Sequence, residues 1–287
     1  MDDVRRVGVV GCGLMGVGLA ELCGRKKLDV VLVGRQELSV DSARSKLANS
    51  LHRSVRKGRL SESERVAALA RVRLTTDFSA LADRQFVVEC VREDESVKQE
   101  IFGELDKTVE DLDAVLASCT SSIPIVRLAR ATTRPSRVVG THFFNPAPVM
   151  PLVELISTLL ADEQTVARAE SFLTGMLGKQ VVRTPDRAGF LVNALLVPYL
   201  LSAVRMVDDG VGSADDIDRG MVLGCGYPMG PLALVDMIGL DIIAQVAAAL
   251  YDEFRESQYV APPLLLRMVD AGLLGKKTGI GFHRYPS

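Results

Sequence analysis

Arg6-Val7-Gly8-Val9-Val10-Gly11-Cys12-Gly13-Leu14-Met15-Gly16-Val17-Gly18-Leu19-Ala20-Glu21 is the stretch from which the rest of the chain is read. The run from Arg5 to Val10 is short and apolar with little alternation, which suits a strand buried on both faces of a parallel sheet. Gly11, Gly13 and Gly16 have the Gly-x-Gly-x-x-Gly spacing of a dinucleotide turn. The first glycine allows the tight turn, the second lets the backbone approach a pyrophosphate, and the third lets helix pack closely on strand. The helix that follows offers free N–H groups and a partial positive charge to phosphates. A nucleotide is therefore expected on Gly11, Gly13, Leu14, Met15 and Gly16. Val30–Val33 is the next strand-like run and completes one βαβ unit.

Further strands are expected at Val72–Leu74, Phe86–Val91, Val115–Ser118 and Val138–His142, separated by segments with helical patterning. This alternation predicts an α/β fold with a Rossmann-like, doubly wound parallel sheet. Between Ser39 and Leu69 a polar amphipathic stretch breaks at Gly58 and restarts at Ser61-Glu62-Ser63-Glu64, a helix-start pattern. It reads as a protruding helical hairpin carrying His52, Arg53, Arg56, Lys57 and Arg59. A helix is expected from about Glu163 to Leu177. Beyond Pro185 every long segment reads as helix, so the expected domains are 1–185, nucleotide-binding, and 186–287, all-α.

The 287 residues carry 34 Lys+Arg and 36 Asp+Glu, a formal net charge of −2, and 48% are hydrophobic. Such a chain has enough apolar side chain to offset the entropy of ordering, so disorder is excluded as its main state. With no basic excess and 5% aromatic residues, no nucleic-acid partner is expected. Five scattered cysteines without a Cys-x-x-Cys pair argue against a disulfide framework and a zinc site, so no metal is expected. The N-terminal MDDVRRVGVV lacks a secretory pattern. The uncharged run after Arg187, which contains Asn193 and Pro198, is short for a membrane span. A cytoplasmic protein with no membrane partner is the expectation.

The second strand of a dinucleotide fold commonly ends in a carboxylate that holds the ribose 2′-hydroxyl of NAD. Here it ends Val33-Gly34-Arg35, and a guanidinium can pair with a 2′-phosphate. NADP(H) is therefore favoured over NAD(H). The alternative has Arg35 solvated and Glu37 or the backbone on the ribose. His142 ends a strand, where open α/β sheets bind ligands. Glu154, twelve residues on in an apolar setting, needs a partner or a shifted pKa. Spacing alone leaves two readings: an acid/base pair, or an ordinary structural histidine.

GCGLMGVGLAE, ECVREDESVK, SCTSS, HFFNPAPVMPLVELI, GFLVN, GYPMGPLALVDMIGLD and LGKKTGIGF occur in this order over nearly the whole chain. Together they resemble the L-3-hydroxyacyl-CoA dehydrogenase family, in its bacterial 3-hydroxybutyryl-CoA dehydrogenase form. The resemblance implies hydride transfer between a nicotinamide cofactor and C3 of a short-chain 3-hydroxyacyl- or 3-ketoacyl-CoA. It makes His142 the acid/base and Glu154 its orienting partner. Ser121 and Asn193 fall at positions near the substrate's 3-oxygen, and Asn145 at one that shapes the site. Glu93 and Lys98 match positions along the nicotinamide–ribose side. The coenzyme A arm would lie near the hairpin, where Arg53, Arg56 and Lys57 could pair with its phosphates. A homodimer through the C-terminal domain is implied as well.

Two departures stand out from the family pattern: Gly34-Arg35, and Cys119 where the family has Asn. They leave room for a relative that acts on hydroxyacyl groups of acyl carrier protein to make polyketide extender units. A non-enzymatic structural protein or nucleotide sensor without turnover and a lysine-dependent β-hydroxyacid dehydrogenase fit the residues less well. No nucleophilic cysteine is expected, since hydride transfer needs none. His52 reads as solvated, His283 as structural, and Met221, Met229 and Met237 as core and interface filler.

Overall fold

The computed structural model describes residues 4–285. Two compact units divide the chain, the first ending at Asp186 and the second beginning at Arg187.

The first unit is built on one eight-stranded sheet in the order β3-β2-β1-β4-β5-β6-β7-β8. The strands are β1 (Arg6–Val10), β2 (Asp29–Val33), β3 (Val72–Thr75), β4 (Phe86–Glu89), β5 (Val115–Ser118), β6 (Val138–Phe143), β7 (Leu152–Ser157) and β8 (Gln180–Pro185). Their helices are α1 (Leu14–Arg25), α2 (Glu37–Arg56), α3 (Glu62–Ala70), α4 (Glu95–Thr108), α5 (Ile125–Ala129) and α6 (Glu163–Ser171). β1 to β6 pair in parallel, and four of them (β1, β2, β4 and β5) are almost wholly buried Val, Leu, Ala and Phe. Each such Leu or Phe contributes about 1.5–3 kcal/mol of burial.

The doubly wound reading holds, and strand direction departs from it once. β7 runs antiparallel to β6, with Gly140, Thr141, His142 and Phe143 opposite Ile156, Leu155, Glu154 and Val153. The segment between residues 143 and 152 is too short for a parallel return, which takes a dozen or more residues. The buried Lys179 ties that segment down, its Nζ donating to the carbonyls of Ala147 and Met150 at 2.6 Å each. β8 returns parallel to β7 and closes the sheet.

Local sequence sets the helix ends. Ser61 and Glu64 form a reciprocal capping box at the start of α3, worth about 1 kcal/mol. Arg53 and Arg56 lie in the last turn of α2, and the backbone reverses through Gly58 at φ +67°. The helix expected to run on to Leu177 changes character at Phe172. There the Leu177 N–H reaches the Phe172 carbonyl five residues back. The Thr174 hydroxyl takes the Glu170 carbonyl, which an α-helix would offer to the Thr174 N–H. At the end of the unit, Asp186 accepts from the Ile125 and Val126 N–H groups and caps the short α5.

The second unit is helical: α7 (Val192–Asp208), α8 (Ala214–Cys225), α9 (Pro231–Ile238), α10 (Leu240–Phe254) and α11 (Pro263–Asp270). The apolar run after Arg187 is the core helix α7, which buries Val197, Leu200, Leu201, Ala203 and Val204. Two buried carboxylates organise the unit. Asp218 accepts from the N–H groups of Leu232 and Ala233 at the start of α9 and bonds His283 Nε2 at 2.8 Å. Asp236 accepts from the N–H groups of Phe282 and His283 and from the Tyr285 hydroxyl. His283 thus has a structural setting. Among the described residues no single helix is long and apolar enough to cross a membrane.

Candidate active site

The carboxyl ends of the first unit's parallel strands bring the glycine turn, Gly34, Arg35, Glu93, Ser121 and His142 to one end of the sheet. The glycine turn follows β1. Gly11 has φ +115°, and a Cβ there would stand 2.6 Å from the Cys90 carbonyl oxygen. A Cβ on Gly16 would stand 1.9 Å from the Gly11 carbonyl oxygen. Both glycines are therefore required by close approach of backbone to backbone. A Cβ on Gly13 would meet nothing within 4 Å, and Leu14 is exposed. That open face, with α1 starting directly behind it, fits a dinucleotide pyrophosphate. Met15 is half-buried and packs against the core.

At the end of β2, Gly34 is buried and Arg35 exposed. A Cβ on Gly34 would lie 2.6 Å from Cys12 Sγ, 2.8 Å from Val40 Cγ2 and 2.9 Å from Ser39 Oγ. The space where a carboxylate side chain would begin is filled from below. Burial pushes the Cys12 thiol up, against a hydrogen bond with Ser39. The Glu37 carboxylate accepts the Thr76 hydroxyl at 2.7 Å.

Two carboxylates, the buried Glu89 and the half-buried Glu93, hold the loops after β4 and β5. Glu93 Oε1 accepts from the Thr120 hydroxyl, from the Ser121 N–H at 3.0 Å, and from the Ser122 N–H and hydroxyl at 3.2 and 3.0 Å. Burial alone would raise its pKa, but Lys98 and these donors hold it below the usual carboxylate range. Lys98, 1% exposed, donates to both Glu89 oxygens at 2.7 and 3.0 Å and lies 3.4 Å from Glu93 Oε2. Its pKa is raised: burial opposes the charge, and Glu89 and Glu93 outweigh burial. Glu89 also accepts the Ser118 hydroxyl and the Val91 N–H. Sequence reasoning did not single out Glu89. A carboxylate ending the apolar Phe86-Val87-Val88 run was the available signal, since a buried charge requires a partner.

His142 and Glu154 meet across the β6–β7 register, with Nδ1 2.6 Å from Oε2. They are 5% and 0% exposed. On the other ring nitrogen, His142 Nε2 lies 3.1 Å from Ser121 Oγ. The imidazole also packs edge-on against Phe144, with ring centroids 4.8 Å apart. A carboxylate on Nδ1 fixes the tautomer with its proton there and leaves Nε2 free to exchange one. This is the geometry of a general acid/base.

The remaining expected residues are placed as follows. Asn145 is exposed on the turn three residues past His142. Arg53, Arg56 and Lys57 are exposed at the end of α2, as are His52 and Arg59. Asn193 sits half-buried in the first turn of α7, in the second unit. Among the described residues no group of three or more His, Cys, Asp or Glu could hold a metal.

Known proteins resemble the chain along its whole length. Residues 6–187 match the 3-hydroxyacyl-CoA dehydrogenase NAD-binding domain, and residues 189–285 match the family's C-terminal domain. A 3-hydroxybutyryl-CoA dehydrogenase of Mycobacterium tuberculosis is 54% identical over 284 residues, 99% of each chain. The human mitochondrial hydroxyacyl-coenzyme A dehydrogenase is 39% identical over 98% of this chain and 91% of its own. The crystal structure of M. tuberculosis FadB2 superposes with TM-score 0.98 at 54% identity, covering 99% of this chain and 100% of that one. That of (S)-3-hydroxybutyryl-CoA dehydrogenase PaaH1 from Ralstonia eutropha gives 0.93 at 41% identity, over 99% and 100%.

Proposed function

This chain belongs to the 3-hydroxyacyl-CoA dehydrogenase family, and we propose that it interconverts short-chain 3-hydroxyacyl-CoA and 3-ketoacyl-CoA with His142 as acid/base. It is an oxidoreductase with a nicotinamide cofactor, which supplies the hydride acceptor or donor. The observation that carries the assignment of roles is the continuous line Glu154–His142–Ser121.

In the oxidative direction neutral His142 takes the substrate's hydroxyl proton at Nε2. Glu154 holds Nδ1–H throughout and stabilises the imidazolium that results. Ser121 shares the Nε2 side of the ring and donates to the substrate's 3-oxygen. In reduction the imidazolium returns the proton. Glu93 keeps Ser121 in place through the 120–122 backbone. Asn193 joins the 3-oxygen's donors and Asn145 shapes the cofactor side, both by family resemblance. Arg53, Arg56 and Lys57 present exposed cations for the phosphates of coenzyme A.

NADP(H) is the preferred cofactor. Arg35 stands free in solvent at the end of β2, Gly34 has no room for a carboxylate, and Glu37 is engaged with Thr76. A coenzyme A thioester, rather than an acyl carrier protein, fits the relatives' substrates as named. The second unit exposes Leu195, Leu223 (78%), Met237 (51%) and Ile242, apolar side chains that an interface would cover. That supports a homodimer through this unit.

Initial rates of acetoacetyl-CoA reduction with NADPH and NADH test the proposal. Turnover by the native chain, lost by several orders of magnitude in His142→Gln, is expected. Near-normal turnover in that variant would refute the role of His142.

A further inference from the structure

Two thiols stand side by side at the same end of the sheet, outside the proton-transfer line. Glu89 and Ser118 are register partners on β4 and β5. One residue further on, Cys90 and Cys119 leave their strands together, adjacent strands being about 4.8 Å apart. Their side chains are neighbours on the same face of the two strands, and both are partly exposed. Cys119 also lies beside the Phe143 backbone, with His142 and Lys98 nearby. We propose that Cys90 and Cys119 form a modification site, a dithiol that a peroxide closes to a disulfide.

The two thiols are differentiated as such chemistry requires. Cys119 is held below the ordinary thiol range, chiefly by its pairing with Cys90, with the Phe143 backbone and the Lys98 ammonium adding to it against burial. Cys90 is pushed well up, by that same pairing and by burial. Cys23 is buried and pushed up to about 12, and Cys12 is raised by burial. Cys119 is thus the thiolate former, and Cys90 the resolving thiol beside it.

The step balances with hydrogen peroxide as the oxidant. The Cys119 thiolate attacks one peroxide oxygen, the O–O bond breaks, and the leaving hydroxide takes up a proton to become water. Cys119 is then a sulfenic acid. The Cys90 sulfur attacks the Cys119 sulfur as its own proton leaves, the S–O bond breaks, and a second water departs. Two thiols lose two electrons, and peroxide is reduced to two waters.

Closing the bond brings the sulfurs to about 2.05 Å and draws two loops together. One begins at Cys119 and leads directly to Ser121, which lies 3.1 Å from His142. The other contains the Cys90 carbonyl, against which Gly11 of the nucleotide turn is pressed. Oxidation therefore displaces both the proton-transfer line and the turn.

The test is peptide mapping with an activity assay in parallel. Trypsin places Cys90 in residues 85–92 and Cys119 in residues 108–127, each peptide holding one cysteine. After treatment of the full chain with hydrogen peroxide, these peptides are expected joined and lighter by two hydrogens. Acetoacetyl-CoA turnover is expected to fall at least tenfold and to recover with dithiothreitol. Cys119→Ser is expected to lose the cross-link, with its activity, normalised to its own untreated form, resisting peroxide. In Cys90→Ser a sulfenic acid on Cys119 is expected to be trapped by dimedone. Oxidation confined to Cys12, Cys23 or Cys225, or Cys119 oxidised in the native chain without joining Cys90, would overturn the proposal. The activity arm rests on the dehydrogenase reading; the cross-link does not, so the two can fail separately.

Discussion

His142 and Glu154 face each other as register partners on antiparallel strands, and 2.6 Å separates Nδ1 from Oε2. The pairing explains how a carboxylate is accommodated at 0% exposure: its charge meets an N–H donor fixed by the sheet itself. Glu154→Gln retains an acceptor for Nδ1–H but removes the charge that stabilises the imidazolium. Turnover is expected to fall roughly 10²–10⁴-fold with little change in KM for acetoacetyl-CoA. Glu154→Ala leaves a buried N–H without its acceptor and is expected to cost a further ~1–3 kcal/mol of folding stability, read as a lower Tm.

Arg35 and Gly34 divide cofactor choice into charge and space. Arg35→Ala is expected to lower kcat/KM for NADPH by about tenfold, the worth of one exposed charged hydrogen bond, and to leave NADH nearly unchanged. An unaltered NADPH/NADH ratio would remove Arg35 from cofactor recognition. Gly34→Asp alone is expected to lower Tm, because its Cβ would stand 2.6 Å from Cys12 Sγ. Adding Cys12→Gly is expected to recover part of that loss, since a contact shared by the two sites makes their effects non-additive.

The acid limb of stability should reveal Glu93. Its pKa is held low in the folded chain, so its contribution is present above the ordinary carboxylate pKa of about 4.3 and is lost as pH falls through the lower folded value. Glu93→Gln is expected to flatten the fall of Tm below that range. At neutral pH it is expected to cut turnover, because the N–H groups of Ser121 and Ser122 lose a charged acceptor. Tm measured against pH for the two proteins checks the first expectation, and kcat the second.

Leu223→Glu combined with Met237→Glu is expected to shift the chain from dimer towards monomer in sedimentation velocity. Each exposed apolar side chain covered at an interface contributes about 1.5–3 kcal/mol. An unchanged sedimentation coefficient would place the interface elsewhere.

The parts legible in sequence were those with a short-range signature. Gly11, Gly13 and Gly16 announce their turn because backbone geometry demands glycine there, and Ser61 and Glu64 announce a helix start because caps are local. The strands at 152–157 and 180–185 were harder. Leu152–Ser157 interrupts its apolar run with Glu154, whose partner comes from another strand. Gln180–Pro185 is an exposed edge whose Arg183 is tied to Glu163 and Glu170 rather than packed in a core. Glu89 escaped notice for a related reason: its meaning lies in Lys98 and Ser118, one of them on another strand. Spacing could set His142 twelve residues from Glu154, but only the reversal of β7 turns that spacing into a contact.

That reversal makes the proton-transfer pair a property of a hairpin rather than of the whole sheet. Residues 144–151 could be lengthened or reshaped without separating His142 from Glu154, because strand pairing, not the loop, keeps them opposite. A slip of one residue between β6 and β7 would instead turn Glu154 to the far face and abolish the pair at once. The chemistry is therefore specified by strand register, while the 144–151 turn can change only as far as the Phe144 packing on His142 and the Lys179 tie to the Ala147 and Met150 carbonyls allow.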